Sequence, residues 1–357
     1  YNMYYQYKET PRMLDVMNAE DFMLWQWSYA TAYGESYGDG VAQYYGLGSK
    51  YGNHFFDYRN VTAHNHMNDV LKASNSWNHD ISLSGGNGST NYLISVSYMQ
   101  DDGTRLKSGL DRWSVNGKLV QKLSDAFKVD FDVRYSDFSV HGGSRNASAY
   151  GYRPIDNPLG DGMGYHLGQG DSNVELEYDP VSIINNTDSF SSNYNLLANS
   201  GLTWSGLEGL TARTELTLGR TWGNSKDYNG GGGIGGASYK TATISNRMGT
   251  NLRWTNTLNY SFQKLGDNHA LNMLLGHEYL DSKSETGEMH GEGYPDDFDM
   301  MQTFGMFSMT NRELKRDTYD YSFGTPSRTL SFFGRVNYTL LNRYLLTLTF
   351  RADGSSK

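Results

Sequence analysis

The chain has 357 residues, a formal net charge of −9, 41 Gly, 28 Tyr and no Cys. The lack of Cys excludes a disulfide framework and Cys-based zinc or iron–sulfur sites, and the acidic balance argues against nucleic-acid binding, which needs a basic surface. Hydrophobic residues make up only 37% of the chain while aromatic residues reach 14%, which is too many for a disordered chain and indicates a folded, β-rich protein with a polar average.

The start of the sequence suggests that the chain is a mature or excised piece of a longer protein. It begins with Tyr1, and no charged-then-apolar leader precedes the first elements. Residues 1–7 predict a first strand. A long segment, about 8–76, follows and carries a helix predicted at about 11–30.

Two capping patterns support this helix. The pair Thr10-Pro11 is typical of an N-cap followed by the first helical position. Asn18 followed by Asp21 resembles a second cap with its acidic partner three residues later.

The body of the chain is dominated by strict alternation of apolar and polar residues. In FKVDFDVRY, residues 127–135, the apolar side chains point one way and Lys128, Asp130, Asp132 and Arg134 point the other. We predict about eleven such strands of about 9–14 residues, against a usual mode of about 5–6. The other clear alternations lie at 92–98, 113–119, 194–204, 210–218, 252–262, 271–279, 330–338 and 344–350.

Strand length and aromatic placement favour a membrane-spanning barrel. A tilted strand needs about 9–11 residues to cross a bilayer. Tyr and Trp lie near many strand ends, as in the aromatic girdles of outer-membrane barrels, although ordinary β-propensity also favours these residues. They are Trp113, Tyr135, Trp204, Trp222, Tyr260, Tyr279, Tyr338 and Tyr344.

Short turns and long loops alternate along the chain. The predicted turns are 85–90, 122–126, 205–208, 265–268 and 341–342, and the long segments are about 8–76, 101–111, 139–190, 224–245 and 285–327. Outer-membrane barrels have short periplasmic turns and long extracellular loops, whereas a β-sandwich does not require this order. The sequence therefore predicts an all-β fold, a transmembrane antiparallel β-barrel with long extracellular loops and a short helix in the first.

The strand count predicts that residues 1–357 form one partial barrel domain. Eleven is odd, bacterial single-chain barrels have an even count, and an open half-barrel would leave an unpaired edge in lipid. We also expect the apolar side chains of Phe131, Val133, Leu216, Leu218, Leu346 and Leu348 to face lipid.

Four strings resemble the SusC/RagA family of TonB-dependent transporters. They are RTLSFFGRVNYTLLNRYLLTLTFRADGSSK at 328–357, SWNHDISLSGGNGSTNYLISVSYMQDDG at 76–103, LNMLLGHEYLDSKSETGEMHGEGYPDDF at 271–298 and PRMLDVMNAEDF at 11–22. The last is similar to the segment that enters the barrel after the plug domain of the family. The resemblance covers nearly the whole chain.

The resemblance implies active import across the bacterial outer membrane through a 22-stranded barrel. The implied partners are outer-membrane lipid, a SusD-like lipoprotein lid, and TonB, which would act through an N-terminal part that precedes this chain. The implied cargo is an oligosaccharide or an oligopeptide. The plug and the C-terminal half of the barrel are expected outside residues 1–357, so this piece alone would not transport.

Three patterns invite a metal or phosphate site. His64-Asn65-His66 could hold a metal, but a solvated pair of loop histidines is the commoner explanation. Asp296, Asp297 and Asp299 offer oxygen ligands for Ca²⁺, without the spacing of a calcium loop. The glycine run at 230–236 lacks the Gly-Lys-Ser/Thr of a phosphate-binding loop and indicates a flexible tip. We therefore predict no metal, no cofactor and no enzyme.

A set of aromatic and polar residues in the predicted loops is suited to cargo binding, because sugar rings stack on flat aromatic side chains. The alternative is that these residues pack the loops against one another or against the lid. The candidate substrate-binding residues are Tyr150, Tyr152, Arg153, Asp156, Asn157, Tyr165, Trp222 and Tyr228.

Two other functions stay open on the sequence. One is a different outer-membrane barrel, such as a siderophore or cobalamin receptor or an adhesin translocator. The other is a secreted, soluble β-rich protein that binds glycans. Extraction only with detergent would separate the barrels from the soluble alternative.

Overall fold

The structure is a computed structural model. It describes residues 1–10, 13–33, 62–142, 150–155, 163–167, 174–232, 238–262, 265–266, 268–308 and 318–356. Within these ranges, only the backbone is described for 26–27, 29–31, 33, 163–167 and 174–178.

Antiparallel strands form most of the described chain. They are β1 (Asn2–Lys8), β2 (Ser74–Gly86), β3 (Thr90–Asp102), β4 (Gly109–Lys122), β5 (Phe127–Gly142), β6 (Met163–Leu167), β7 (Val174–Tyr178), β8 (Thr187–Leu207), β9 (Leu210–Asn229), β10 (Thr241–Phe262), β11 (His269–Glu292), β12 (Thr318–Phe323), β13 (Ser327–Leu340) and β14 (Tyr344–Ser355).

One twelve-stranded sheet contains all of these strands except β6 and β7. Its order is β1-β2-β3-β4-β5-β8-β9-β10-β11-β13-β14, and β12 pairs with the far part of β11. Each neighbouring pair is antiparallel and most join strands that follow directly along the chain, as expected when short turns connect them. β6 and β7 form a separate two-stranded ribbon.

The strand register places the predicted apolar sets on one face of the sheet. One row of directly opposed residues runs across seven strands: Leu119, Phe131, Ser200, Leu216, Trp254, Tyr279 and Leu330. The side chains of Leu216 and Leu348 are 46% and 59% exposed. We call this the apolar face. All six residues expected to contact lipid lie on it and are exposed.

The opposite side of the same strands, the polar face, carries charged and small residues. The next row holds Asp130, Gly201, Glu215, Thr255, Glu278, Ser331 and Asp353. Because the side-chain period of a strand is two, adjacent rows point to opposite faces. In the described part of the chain, no second layer covers the apolar face, and its large apolar side chains are exposed.

Arginine side chains connect the acids of the polar face. Arg213 makes two bonds to Asp130, of 2.6 and 2.9 Å, and also contacts Glu215 at 2.6 Å. Gly201 makes room for this network, since a Cβ there would lie 2.4 Å from the Arg213 guanidinium. Arg351 likewise donates to Glu278 at 3.1 Å and to Asp353 at 2.9 Å. The four acids of this row are therefore each paired with an arginine.

Turns and loops lie at opposite ends of the sheet, as the sequence predicts. The described residues of 87–89, 123–126, 208–209, 263–268 and 341–343 define the turn end, and the described residues of 9–73, 103–108, 143–186, 230–240 and 293–326 define the loop end. The turn after β13 is tight: Leu341 and Asn342 are both at positive φ, 56° and 54°, and the Arg343 N–H donates to the Leu340 carbonyl at 3.0 Å, as in the type I′ turns that suit the twist of a hairpin.

The central strands are longer than predicted. β8, β9, β10 and β11 have 21, 20, 22 and 24 residues, against the 9–14 expected. The additional residues lie at the loop end, so the predicted loops at 224–245 and 285–327 begin too early. Polar residues occupy both faces there, and the alternation that marks a half-apolar strand disappears although the backbone pairing continues.

The described residues contain one helix of 15 residues and three short ones, all in the segments of the loop end: α1 (Ala19–Tyr33), α2 (Met67–Val70), α3 (Pro180–Asn185) and α4 (Met300–Gly305). α1 begins at the second predicted cap, because the Asn18 side chain accepts from the Asp21 N–H at 2.8 Å. Residues 13–18 are not helical, so the start near residue 11 is wrong over that stretch. A cap needs helical φ/ψ after it, which Thr10-Pro11 alone did not establish.

Candidate functional site

The described parts of the first three loops pack together at the loop end. Met67 and Val70 of α2 and Ile184 of α3 form a buried core. Backbone bonds join the loops: the His64 N–H donates to the Pro154 carbonyl at 3.0 Å, and the Leu106 N–H donates to the Val70 carbonyl at 2.8 Å. We call residues 62–73, 103–108, 150–155 and 179–186 the loop cluster.

A cap and a lysine fix the third loop within this cluster. The Asp179 side chain accepts from the Ser182 N–H at 2.7 Å, and Pro180 occupies the first turn of α3, which is a favourable start for a helix. Lys107 of the second loop donates to the carbonyls of Ile184 and Asn185, at 3.2 and 3.1 Å. The lysine supplies donors to the last carbonyls of the helix, where a cation is favoured.

Two of the candidate binding residues are buried inside the loop cluster. The Arg153 side chain is 1% exposed, and it donates to the Tyr152 hydroxyl at 2.7 Å. Its guanidinium also lies 4.6 Å from the centre of the Tyr152 ring. The contact between Arg153 and Tyr152 therefore packs inside the described loop cluster.

Tyr150 is placed differently, at the rim of an open groove. Its side chain is 47% exposed, and it lines a cavity of about 310 Å³ together with Phe22 and Trp25 of α1. The Phe22 and Trp25 rings are 6.1 Å apart and tilted by 31°. Val16, Met17, Gly151, Tyr152 and Pro154 complete the groove. Three aromatic rings at one open surface can stack against a sugar ring or an apolar side chain.

Trp222 lies away from this groove, on the same face of β9 as Leu216 and Leu218. It stacks on Tyr194, with ring centroids 5.3 Å apart and 12° between planes. Tyr135 lies 6.3 Å from it on β5. The three rings form an aromatic group on the apolar face, toward the loop end of the sheet. This is the arrangement of an interfacial girdle.

Tyr228 lies at the far end of β9, beside α4. Its ring is 6.4 Å from Phe304, and the Lys226 ammonium lies 5.6 Å from the same ring. The remaining candidates are not placed: Asp156 and Asn157 lie outside the described residues, and only the backbone is described for Tyr165 in β6. The structure therefore brings Tyr150, Tyr152 and Arg153 together and separates Trp222 and Tyr228 from them.

One of the three acids considered for Ca²⁺ has a structural role. Asp299 caps α4: its side chain accepts from the Gln302 N–H at 2.7 Å, and Gln302 accepts from the Asp299 N–H at 2.9 Å. The Lys240 ammonium donates to the backbone carbonyls of Asp296 and Phe298, at 2.9 and 2.5 Å. Lys240 therefore holds the loop that leads into α4.

The two histidines at 64 and 66 form a group with Asp69, a third residue that the sequence pattern did not include. Their rings are 4.4 Å apart, and Asp69, one turn further along the chain, completes the group. His66 is 7% exposed, and this burial lowers the pKa of its imidazole. The sequence pattern at 64–66 did not include Asp69, because the four-residue α2 has no periodicity from which its position could be predicted.

No helix in the described part of the chain is both long and apolar enough to span a membrane. No protein-family model matches the chain.

Comparison with known proteins finds TonB-dependent receptors. The chain is 28% identical to TonB-dependent receptor P26 of Formosa agariphila over 302 residues, which cover 78% of this chain and 28% of the receptor. A stretch of 36 residues is 56% identical to TonB-dependent receptor SusC of Bacteroides thetaiotaomicron, covering 10% of this chain and 4% of SusC. The chain thus spans less than a third of the length of the curated receptor P26.

The fold is similar to that of a solved structure of the RagAB peptide transporter. The TM-score is 0.76 with 17% sequence identity, and the match covers 99% of this chain and 42% of that chain. At this identity the likeness concerns the fold: nearly all of the twelve-stranded sheet follows the course of a continuous part of a larger barrel. The chain is therefore similar in sequence to TonB-dependent receptors, and its twelve-stranded sheet has the fold of part of a transmembrane β-barrel.

Proposed function

We propose that the protein containing this chain imports an oligomeric nutrient across the bacterial outer membrane, with energy supplied through TonB and with a SusD-like lipoprotein as its lid. The observation that carries this proposal is the two-faced sheet, with exposed apolar residues on one side and paired charges on the other. Such a sheet is stable when lipid covers the apolar face and water fills the lumen.

The same observation disfavours a secreted, soluble glycan-binding protein. Soluble monomers rarely expose a contiguous apolar patch larger than a few hundred Å², and here the apolar face continues across seven neighbouring strands. A siderophore or cobalamin receptor would share the barrel, so the faces of the sheet do not exclude it. The resemblance to SusC and to the RagAB peptide transporter favours an oligosaccharide or oligopeptide.

We further propose that cargo contacts the groove of Tyr150, Phe22 and Trp25, while Tyr152 and Arg153 hold the third loop in place. Binding would be spread over several aromatic and polar contacts, as a solvated oligomer requires. A stacking contact contributes about 0.5–1.5 kcal/mol, so no single ring is expected to be essential. Asp156, Asn157 and Tyr165 stay candidates for polar contacts in the same loop.

Uptake by cells that carry the full-length receptor tests both proposals. Labelled peptide and oligosaccharide pools should enter wild-type cells but not cells that lack TonB or the lid. Tyr150→Ala and Trp25→Ala should each weaken the apparent affinity of uptake about two- to tenfold. Tyr319→Ala is the matched control, because Tyr319 is an exposed tyrosine of the loop end outside the groove.

Two results would count against these proposals separately. Uptake that does not need TonB, or growth that depends on this protein only under iron limitation, would argue against TonB-dependent import of an oligomer. Normal uptake by the double variant of Tyr150 and Trp25 would leave import standing and remove the groove as the binding site.

A further inference from the structure

Three potential metal ligands occupy a six-residue stretch of the first loop. His64 follows a β-bridge between Ala63 and Ile155, His66 precedes α2, and Asp69 lies within α2. The stretch is therefore held against the third loop on one side and continues into a helix whose Met67 and Val70 are buried. This fixes the backbone from which the three side chains extend.

The donor atoms of these side chains converge. The His64 Nε2 lies 2.5 Å from the Asp69 Oδ2, and the His66 Nδ1 lies 3.6 Å from the same oxygen. All three groups offer atoms within 4.8 Å of one another. Ligands of a tetrahedral Zn²⁺, with bonds of about 2.0–2.1 Å, are separated by about 3.3 Å. An outward movement of the partly exposed His64 or Asp69 by less than about 1 Å brings the His64–Asp69 pair to this spacing, and the His66–Asp69 distance is already close to it.

His66 is already oriented as a ligand. Its Nε2 donates to the Ile155 carbonyl at 3.1 Å, and its ring meets the edge of Tyr152 at 4.7 Å and 85°. In the neutral imidazole, the Nδ1 then carries a lone pair that faces a carboxylate oxygen, and two acceptors face each other. A hydrogen bond from one histidine nitrogen to a backbone carbonyl is the usual support of a metal-bound histidine.

We propose that His64, His66 and Asp69 bind a divalent transition-metal ion, with Zn²⁺ as the expected occupant. Two imidazole nitrogens and one carboxylate oxygen suit Zn²⁺ or a neighbouring late first-row ion, whereas Ca²⁺ and Mg²⁺ take oxygen ligands. The side chains of His64 and Asp69 are 35% and 36% exposed, so the ion can enter from solvent and water can complete its coordination.

The ion would fix the part of the first loop that packs against the third. His66 is bonded to Ile155 and packs against Tyr152, and Tyr152 lines the groove with Tyr150. A bound ion would therefore hold His66 in the orientation that makes these contacts with the third loop. This is a structural role at the loop end, and it does not depend on which cargo is imported.

Metal titration of the full-length receptor in detergent, purified without a histidine tag, tests the site. We expect one equivalent of Zn²⁺ by calorimetry and, with Co²⁺, visible absorption bands typical of low-coordinate cobalt bound by nitrogen and oxygen. His64→Gln and Asp69→Asn should each weaken binding by at least about tenfold. His269→Gln is the control, because His269 lies at the turn end and bonds to Tyr338.

A second measurement keeps the test decisive if a variant changes the loop. Zn²⁺ should slow proteolysis within the first and third loops of the wild type and of His269→Gln, but not of His64→Gln. His64 and Asp69 are partly exposed, so their conservative variants should fold as the wild type does. Equal metal binding by the wild type, His64→Gln and Asp69→Asn, or no binding by the wild type, would overturn the proposal.

Discussion

The apolar face and the polar face are built from the same strands, yet they satisfy opposite requirements. On β9, Leu216 and Leu218 are exposed on one side, while Arg213 and Glu215 on the other side are paired. The apolar side chains lack a protein layer in the described sheet, whereas the polar ones have partners. This difference indicates that the two faces of the sheet have different environments, with lipid on one side and water on the other.

The largest effect should follow from placing a charge on the apolar face. Leu216→Arg is expected to lower the free energy of unfolding in lipid vesicles by about 2–4 kcal/mol, which is the cost of an arginine at the lipid-facing midplane of a barrel. Urea titration of the full-length protein in vesicles measures this. Thr255→Arg is the matched control on the polar face, where the register places it between Glu215 and Glu278. Equal losses at both positions would contradict the division by face.

An intermediate effect should follow from removing a partner on the polar face. Asp130→Ala leaves Arg213, about 30% exposed, without its two-bond partner. The cost should be about 1–2 kcal/mol, between the values for exposed and buried ion pairs. Asp132→Ala breaks a pair with Arg134, which is 61% exposed, and should cost at most about 0.5 kcal/mol. The same urea titration compares them, and a larger loss for Asp132→Ala would be inconsistent with paired lumen charges.

The smallest effect concerns the aromatic border of the apolar face. Trp222→Ala removes the stack on Tyr194 and should lower stability by about 0.5–1.5 kcal/mol beyond the lost burial, without changing the apparent affinity of uptake. Tyr150→Ala should do the reverse. Stability and uptake measured on both variants separate a girdle residue from a cargo contact. Weaker uptake with unchanged stability in Trp222→Ala would restore Trp222 as a binding residue.

The two faces of the sheet could be predicted from the sequence because period-two alternation is a local property. Phe131, Leu216 and Leu348 were assigned to one face strand by strand, and the register brings their rows together. The order of turns and loops followed from chain lengths alone. The loop-end parts of β8–β11 could not be predicted, because polar residues occupy both faces there and the apolar alternation is absent.

The loop end was less predictable because its contacts join residues distant in sequence. Tyr152 and Arg153 have the composition of a binding site, but their burial depends on packing with residues 62–73, which no local pattern reveals. Tyr150, two positions away, is exposed. Asp69 joins the histidine pair through the turn of α2, and a helix of four residues is too short for a periodic pattern.

Accessibility of a spin label along β4 tests directly whether one face of the sheet meets lipid and the other meets water. Residues 1–357 contain no Cys, so single cysteines at 114–120 can be labelled in the full-length receptor in lipid vesicles once any Cys outside these residues has been replaced by Ser. Labels at Val115, Gly117 and Leu119 should be relaxed by oxygen dissolved in lipid, and labels at Ser114, Asn116, Lys118 and Val120 by a water-soluble nickel complex. Val120 is the sharpest position, because its side chain is apolar while its register is that of Asp130 on the polar face. A period of two, with Val120 accessible to the nickel complex, is the result predicted for a barrel strand between lipid and lumen. Uniform accessibility along the strand would contradict it.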